Sequence, residues 1–160
     1  MSKVVVVDTN VAIAANGRNT HADFACRLAC IEKLNIITHK DVVALDDHDL
    51  IFDEYRRYLN FSGEPGVGDI FFKHVFNHQY SDNRVKRISI SPSSDESRGF
   101  DELPRNSLDP SDRKFLAVAV VVNATIINAT ESDWSEQHNF LNTLPVLVEQ
   151  LCPQHATKCT

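Results

Sequence analysis

The sequence predicts an α/β sandwich built on a mainly parallel sheet. The short apolar run VVVV at 4–7 suits a strand buried on both faces, and DVVALD at 41–46, TIIN at 125–128 and VLVEQL at 146–151 read as further strands. Longer segments with apolar residues at helical spacing lie between them. Strand and helix alternate through most of the chain, without an internal repeat or a linker that splits it.

Taken in order, Val4–Val7 form the first strand and run straight into Asp8. Thr9 is placed to cap a short helix through NVAIAAN, ended near Gly17. A second helix covers about 21–34, where Cys26 and Cys30 lie four apart and face the core as small hydrophobes. DVVALD is the next strand, and Asp47 or Asp49 caps a helix that ends at Leu59. SGEPGVG (62–68) reads as a turn, with too few glycines and no lysine for a phosphate-cradling loop. In DIFFKHVFNHQY (69–80), Phe71, Phe72, Phe76 and Tyr80 are spaced to pack inward, and His74 and His78 read as surface histidines. RVKRISI (84–90) alternates like a strand, and SPSSDESRG (91–99) reads as a mobile loop. Asp109 caps the buried helix that Pro110 opens, and ESDW follows the TIIN strand. HNFLNTL closes a helix, and VLVEQL is the last strand.

A chain of 160 residues with 42% hydrophobic content can bury a real core, and residues 1–152 read as one domain. Residues 62–105 elaborate that domain, and 153–160 form a C-terminal tail. Cys152, His155 and Cys159 near the end are too irregularly spaced for a convincing zinc site. No run approaches a membrane span, and the N-terminus does not read as a signal peptide, so the expected location is cytoplasmic. The formal net charge of −6 excludes a protein that binds nucleic acid by bulk positive charge. It does not exclude a nucleic-acid substrate, because carboxylates gathered around cations lower the formal charge without repelling phosphate.

Ligands of open parallel sheets bind at the carboxyl ends of the strands. Asp8 follows the first strand directly, and Asp133 follows the TIIN strand by a few residues, with Trp134 behind it. Glu54 lies on the margin of a helical stripe made by Ile51, Tyr55, Tyr58 and Leu59. It is either an inward acid or a surface carboxylate paired with Arg57. Asp112 leads the apolar face continued by Phe115, Leu116 and Ala119, with Arg113 and Lys114 turned away. It either aims at a shared site or completes the helix start. Carboxylates at close quarters repel unless they share protons or bind cations. Hard oxygen ligands suit Mg²⁺ or Mn²⁺, which ready water for attack on a phosphodiester. Arg56, Arg57, Arg84, Lys86 and Arg87 are candidate phosphate contacts, although the cations of 84–87 equally suit a strand edge that discourages sheet-to-sheet pairing.

The chain resembles the PIN-domain nucleases. VVVVDTNVAI matches their opening signature, DEYRRYL the Glu-containing helix, DPSDRKFLAVA the third acidic motif and NATESDW the fourth. The resemblance implies a three-layer α/β/α sandwich with a five-stranded sheet. It places the catalytic and metal-binding acids on Asp8, Glu54, Asp112 and Asp133, with Thr9 and Asn10 as helpers. In the fourth motif, Asn128 stands where Thr is frequent and Thr130 where Asn or Asp is frequent, so either Glu131 or Asp133 supplies the last acid. The implied activity is Mg²⁺- or Mn²⁺-dependent endoribonuclease cleavage of RNA. Many bacterial members are toxins of toxin–antitoxin pairs that act as homodimers and are silenced by an antitoxin protein. A catalytically silent metal- and RNA-binding module and a DNA-directed nuclease are the alternatives.

Overall fold

The computed structural model describes residues 3–156. Its first half comprises β1 (Val4–Val7), α1 (Thr9–Asn16), α2 (Phe24–Lys40), β2 (Val42–Asp46), α3 (Leu50–Tyr58), α4 (Val67–His78) and β3 (Val85–Ile88). The second half comprises α5 (Arg113–Val122), β4 (Thr125–Asn128), α6 (Asp133–Glu136), α7 (His138–Leu141), β5 (Leu147–Gln150) and α8 (Pro153–Ala156). The five strands form one sheet in the order β3-β2-β1-β4-β5, every pair parallel. This is the predicted α/β class, with helices on both faces.

The winding places the site. From β1 the chain moves one way to β2 and β3, then returns past β1 to β4 and β5. Right-handed crossovers therefore put α1 and α2 on one face and α5 on the other. The reversal falls between β1 and β4, where the connections leave in opposite directions and open a crevice at the strand ends. Asp8 stands at the end of β1, and the segment after Asn128 leaves the end of β4.

Val5, Val6 and Val7 are wholly buried, as are Ile126 and Ile127 beside them. Each such side chain contributes roughly 1.5–3 kcal/mol of transfer free energy. Gly68 lets α4 close onto α1, because a Cβ there would lie 2.0 Å from the Ala12 carbonyl oxygen. Buried Asp69 locks the same junction by accepting from the backbone N–H of Asn60 and Gly66 and from Asn16 Nδ2.

Several local expectations are corrected. Asp8, not Thr9, caps α1, accepting from Asn10 N. Asp46 performs the capping expected of Asp47 or Asp49. Its fully buried carboxylate accepts from the backbone N–H of His48, Leu50 and Ile51, whereas Asp49 makes no side-chain cap bond. The buried stripe of α3 uses Phe52, while Tyr58 is exposed. Tyr80 does not pack inward: it lies just beyond α4, 83% exposed, with Arg87 5.8 Å from its ring centre. The 91–99 segment is pinned rather than loose. A bridge joins Pro92 to Phe100, and the buried Arg113 donates to the Glu96 carbonyl at 2.7 Å. Cys26 is buried as expected but forms a disulfide with Cys152, and Cys30 remains a buried free thiol. Of the residues Cys152, His155 and Cys159, the last lies outside the described residues. Among the described residues, no helix is long and apolar enough to cross a membrane.

Candidate metal centre

The carboxylate of Asp8 is held from two sides. Oδ1 accepts from Asn10 N at 3.3 Å, and Oδ2 accepts from the indole Nε1–H of Trp134 at 2.8 Å. Burial pushes its pKa up to about 6 against those two bonds, and the negative charges of Glu54 and Glu131 add to the rise. Asp8 is thus buried beside other acids with too few donors to settle its charge.

Asp112 ends the single 3-10 turn Pro110–Asp112 that leads into α5. Asp109 caps that turn, as expected, by accepting from Ser111 N at 3.0 Å. The cap leaves the Asp112 side chain free to point into the crevice. Desolvation raises its pKa to about 9, reinforced by the charges of Asp8, Glu131 and Asp133. Its Oδ2 is buried and has no hydrogen-bond partner. A buried acceptor of this kind is costly unless a proton or a cation meets it.

The turn after β4 delivers two more acids, Glu131 and Asp133. Glu131 Oε1 accepts from Asp133 N at 3.0 Å, and Asp133 Oδ2 accepts from Asp109 N at 2.9 Å, tying this turn to the start of α5. The turn itself is built on Asn10 and Asn128. Asn10 Oδ1 accepts from Ala129 N and Thr130 N, both at 2.9 Å, and Asn10 Nδ2 donates to Asn128 Oδ1 at 2.9 Å. Fully buried Asn128 donates to the Glu131 carbonyl and to Gln150 Oε1. Asn10, Asn128 and Thr130 are therefore framework residues, and only the backbone N–H of Asn10 touches Asp8.

Glu54 reaches the same crevice as an inward acid of α3, not as a surface partner of Arg57. Its Oε2 accepts a short hydrogen bond from the Thr9 hydroxyl, and its Oε1 pairs with Lys114 Nζ at 2.8 Å. Lys114 does not turn away as its helical position predicts: its Nζ reaches the Ser111 carbonyl as well. The long aliphatic stem rises over the Phe115 ring, Nζ lying 4.9 Å from its centre, and carries the charge back over the first turn of α5. Sequence position could not show this, because Lys114 lies two residues from Asp112 and so off its helical face. Trp134 is a second residue of the site that spacing does not single out. An indole directly after Asp133, in a stretch with little other apolar content, is its only signal in the sequence.

Five acids thus share one crevice. Among the described residues, no three of them bring one oxygen each within 4.8 Å of one another. The set is open, as suits an ion that keeps several waters and takes one or two carboxylates rather than a closed cage.

No family model matches the chain, and no curated protein matches it. Among solved structures it is similar to a chain in the crystal structure of VapBC2 from Rickettsia felis bound to a DNA fragment from their promoter. That likeness has a TM-score of 0.45 and 13% identity, and covers 92% of this chain and 98% of the other.

The candidate basic residues do not converge on the crevice. Arg84 precedes β3, at the opposite end of the sheet from the strand tips, and donates to the Thr38 carbonyl. Arg87 pairs with Asp49 at 2.8 Å. Arg56 lies over the Phe52 ring, and Arg57 and Lys86 are exposed. β3 is an edge strand, where such cations discourage pairing with another sheet.

Proposed function

We propose that this chain is a divalent-metal-dependent endoribonuclease of the PIN type. The observation that carries the proposal is the buried, unpartnered Oδ2 of Asp112 beside Asp8, Glu131 and Asp133. An all-oxygen donor set fits Mg²⁺ or Mn²⁺. Asp8 and Asp112 would hold the ion, with Asp133 or Glu131 reaching it through its bound water. The ion would supply an activated water and charge stabilisation at a phosphodiester.

The chain's own residues do the positioning. Trp134 and the backbone of Asn10 fix the Asp8 carboxylate, so it loses little rotamer freedom when it binds. Thr9 fixes Glu54, and Lys114 stands beside it as a cation at the rim of the crevice. The four motifs that resemble PIN nucleases support RNA as the substrate. The same resemblance supports a toxin role, with an antitoxin protein and a homodimer as the expected partners.

Labelled RNA and DNA oligonucleotides, incubated with Mg²⁺ or Mn²⁺ and with a chelator, test the proposal. Wild-type protein should cleave RNA only with the metal, and Asp8→Asn and Asp112→Asn should not cleave. Cleavage that survives chelation, or either substitution, defeats it. Preference for the DNA oligonucleotide would move the same chemistry to the other substrate.

One observation favours the catalytically silent module as a second reading. Lys114 already neutralises Glu54, so the site carries a built-in cation where the family resemblance implies a metal ligand. Metal binding without cleavage of either oligonucleotide would select that reading.

A further inference from the structure

A second metal-ligating cluster lies away from the acids. Cys26 and Cys30 occupy successive turns of α2, and Cys152 follows β5. The three sulfurs lie within 4.8 Å of one another, and all three residues are essentially inaccessible to solvent. Two of them are joined as Cys26–Cys152, which leaves Cys30 as a free thiol packed against that bond.

We propose that, when this disulfide is reduced, Cys26, Cys30 and Cys152 bind a thiophilic d¹⁰ cation of the zinc class. Zn–S bonds of about 2.3 Å place tetrahedrally arranged sulfurs about 3.8 Å apart. The cluster already has that compactness, so the bonded pair need only separate by rotation about side-chain bonds. Soft thiolates select such ions over Mg²⁺, and the site is therefore chemically distinct from the oxygen set around Asp112. A dithiol reductant transfers two electrons and two protons to the disulfide and becomes a disulfide itself. The three resulting thiols then bind one Zn²⁺ and release three protons, leaving a net charge of −1 on the centre.

The free thiol argues for ligation rather than for disulfide exchange. Burial pushes the Cys30 thiol up to about 12, so little of it is the thiolate that attacks a disulfide. A coordinated metal removes that proton directly. The disulfide and the metal would be mutually exclusive ties between α2 and the segment after β5, one serving oxidising and the other reducing conditions.

The test uses the full chain carrying Asp8→Asn and Asp112→Asn, so that the acids do not compete for the probe. The protein is reduced with a phosphine, freed of reductant without oxygen, and titrated with Co²⁺ and then Zn²⁺. One equivalent of Co²⁺ should produce a thiolate-to-cobalt charge-transfer band that Zn²⁺ abolishes. The oxidised chain should show no such band. Cys30→Ser, which leaves the Cys26–Cys152 pair intact when oxidised, should remove the band after reduction. A reduced chain that keeps its circular dichroism but shows no band overturns the proposal, as does an unchanged band in Cys30→Ser. If the reduced chain unfolds, recovery of its circular dichroism on adding Zn²⁺ supports the proposal, and failure to recover overturns it.

Discussion

Replacing Asp8 by Asn should stabilise the metal-free protein while removing its activity. The Asp8 carboxyl is pushed up to about 6 in the folded chain from its ordinary value of 3.8, with desolvation the main cause. A raised folded pKa means that the native state holds its proton more tightly than the unfolded chain does. Stability from this group is therefore complete below about pH 3.8, falls as pH rises through about 6, and stays low above that. A rise from 3.8 to about 6 is worth roughly 3 kcal/mol. Asn carries no charge to desolvate and still caps α1, but it has one carbonyl oxygen for the two donors, Trp134 Nε1 and Asn10 N. Losing one of those bonds costs about 1 kcal/mol, which leaves a net gain of about 2 kcal/mol at pH 8. Urea denaturation with chelator present should show this gain at pH 8 and its disappearance near pH 3.5. Saturating Mg²⁺ should stabilise the wild type and close the gap, because a cation meets the charge that Asn lacks. Equal or lower stability of Asp8→Asn at pH 8 without metal would refute the claim that this carboxylate is held at a cost.

Trp134→Phe removes the donor to Asp8 Oδ2, so the Asp8 pKa should rise further; the expected loss is roughly 2 kcal/mol at pH 8 and less at pH 3.5, read from the same denaturation curves. Lys114→Met leaves Glu54 in the crevice without its cation. With both side chains at most 15% exposed, thermal unfolding should show a loss of roughly 3 kcal/mol, and an unchanged stability would show the pair to be loose. Gly68→Ala drives a methyl group into the Ala12 carbonyl, which belongs to backbone and cannot swing aside. A loss of about 3 kcal/mol is expected by chemical denaturation, and a neutral result would mean that α1 and α4 do not meet this closely.

The sheet was legible because a strand buried on both faces is apolar at its centre, as VVVV and the two isoleucines of TIIN are. The cap of α3 differed from the expectation because three acids stand close together before the helix. Asp46 outcompeted Asp47 and Asp49 because its position at the end of β2 aims the carboxylate at three backbone N–H groups, a direction that composition does not encode. Tyr80 fits the apolar spacing of α4 but falls just past the helix end, where the periodic pattern no longer constrains it.

By itself the sequence determined the alternation of strand and helix, and with it the end of the sheet to which Asp8 and the acids after β4 are delivered. Local pattern suffices there, because burial imposes a period on every residue of an element. Tertiary structure alone decided the neighbours. It seated Lys114 on Glu54, Trp134 on Asp8 and Cys152 on Cys26 across separations of 60, 126 and 126 residues. Such pairings follow from where crossovers return the chain, and neither residue's immediate sequence carries that information.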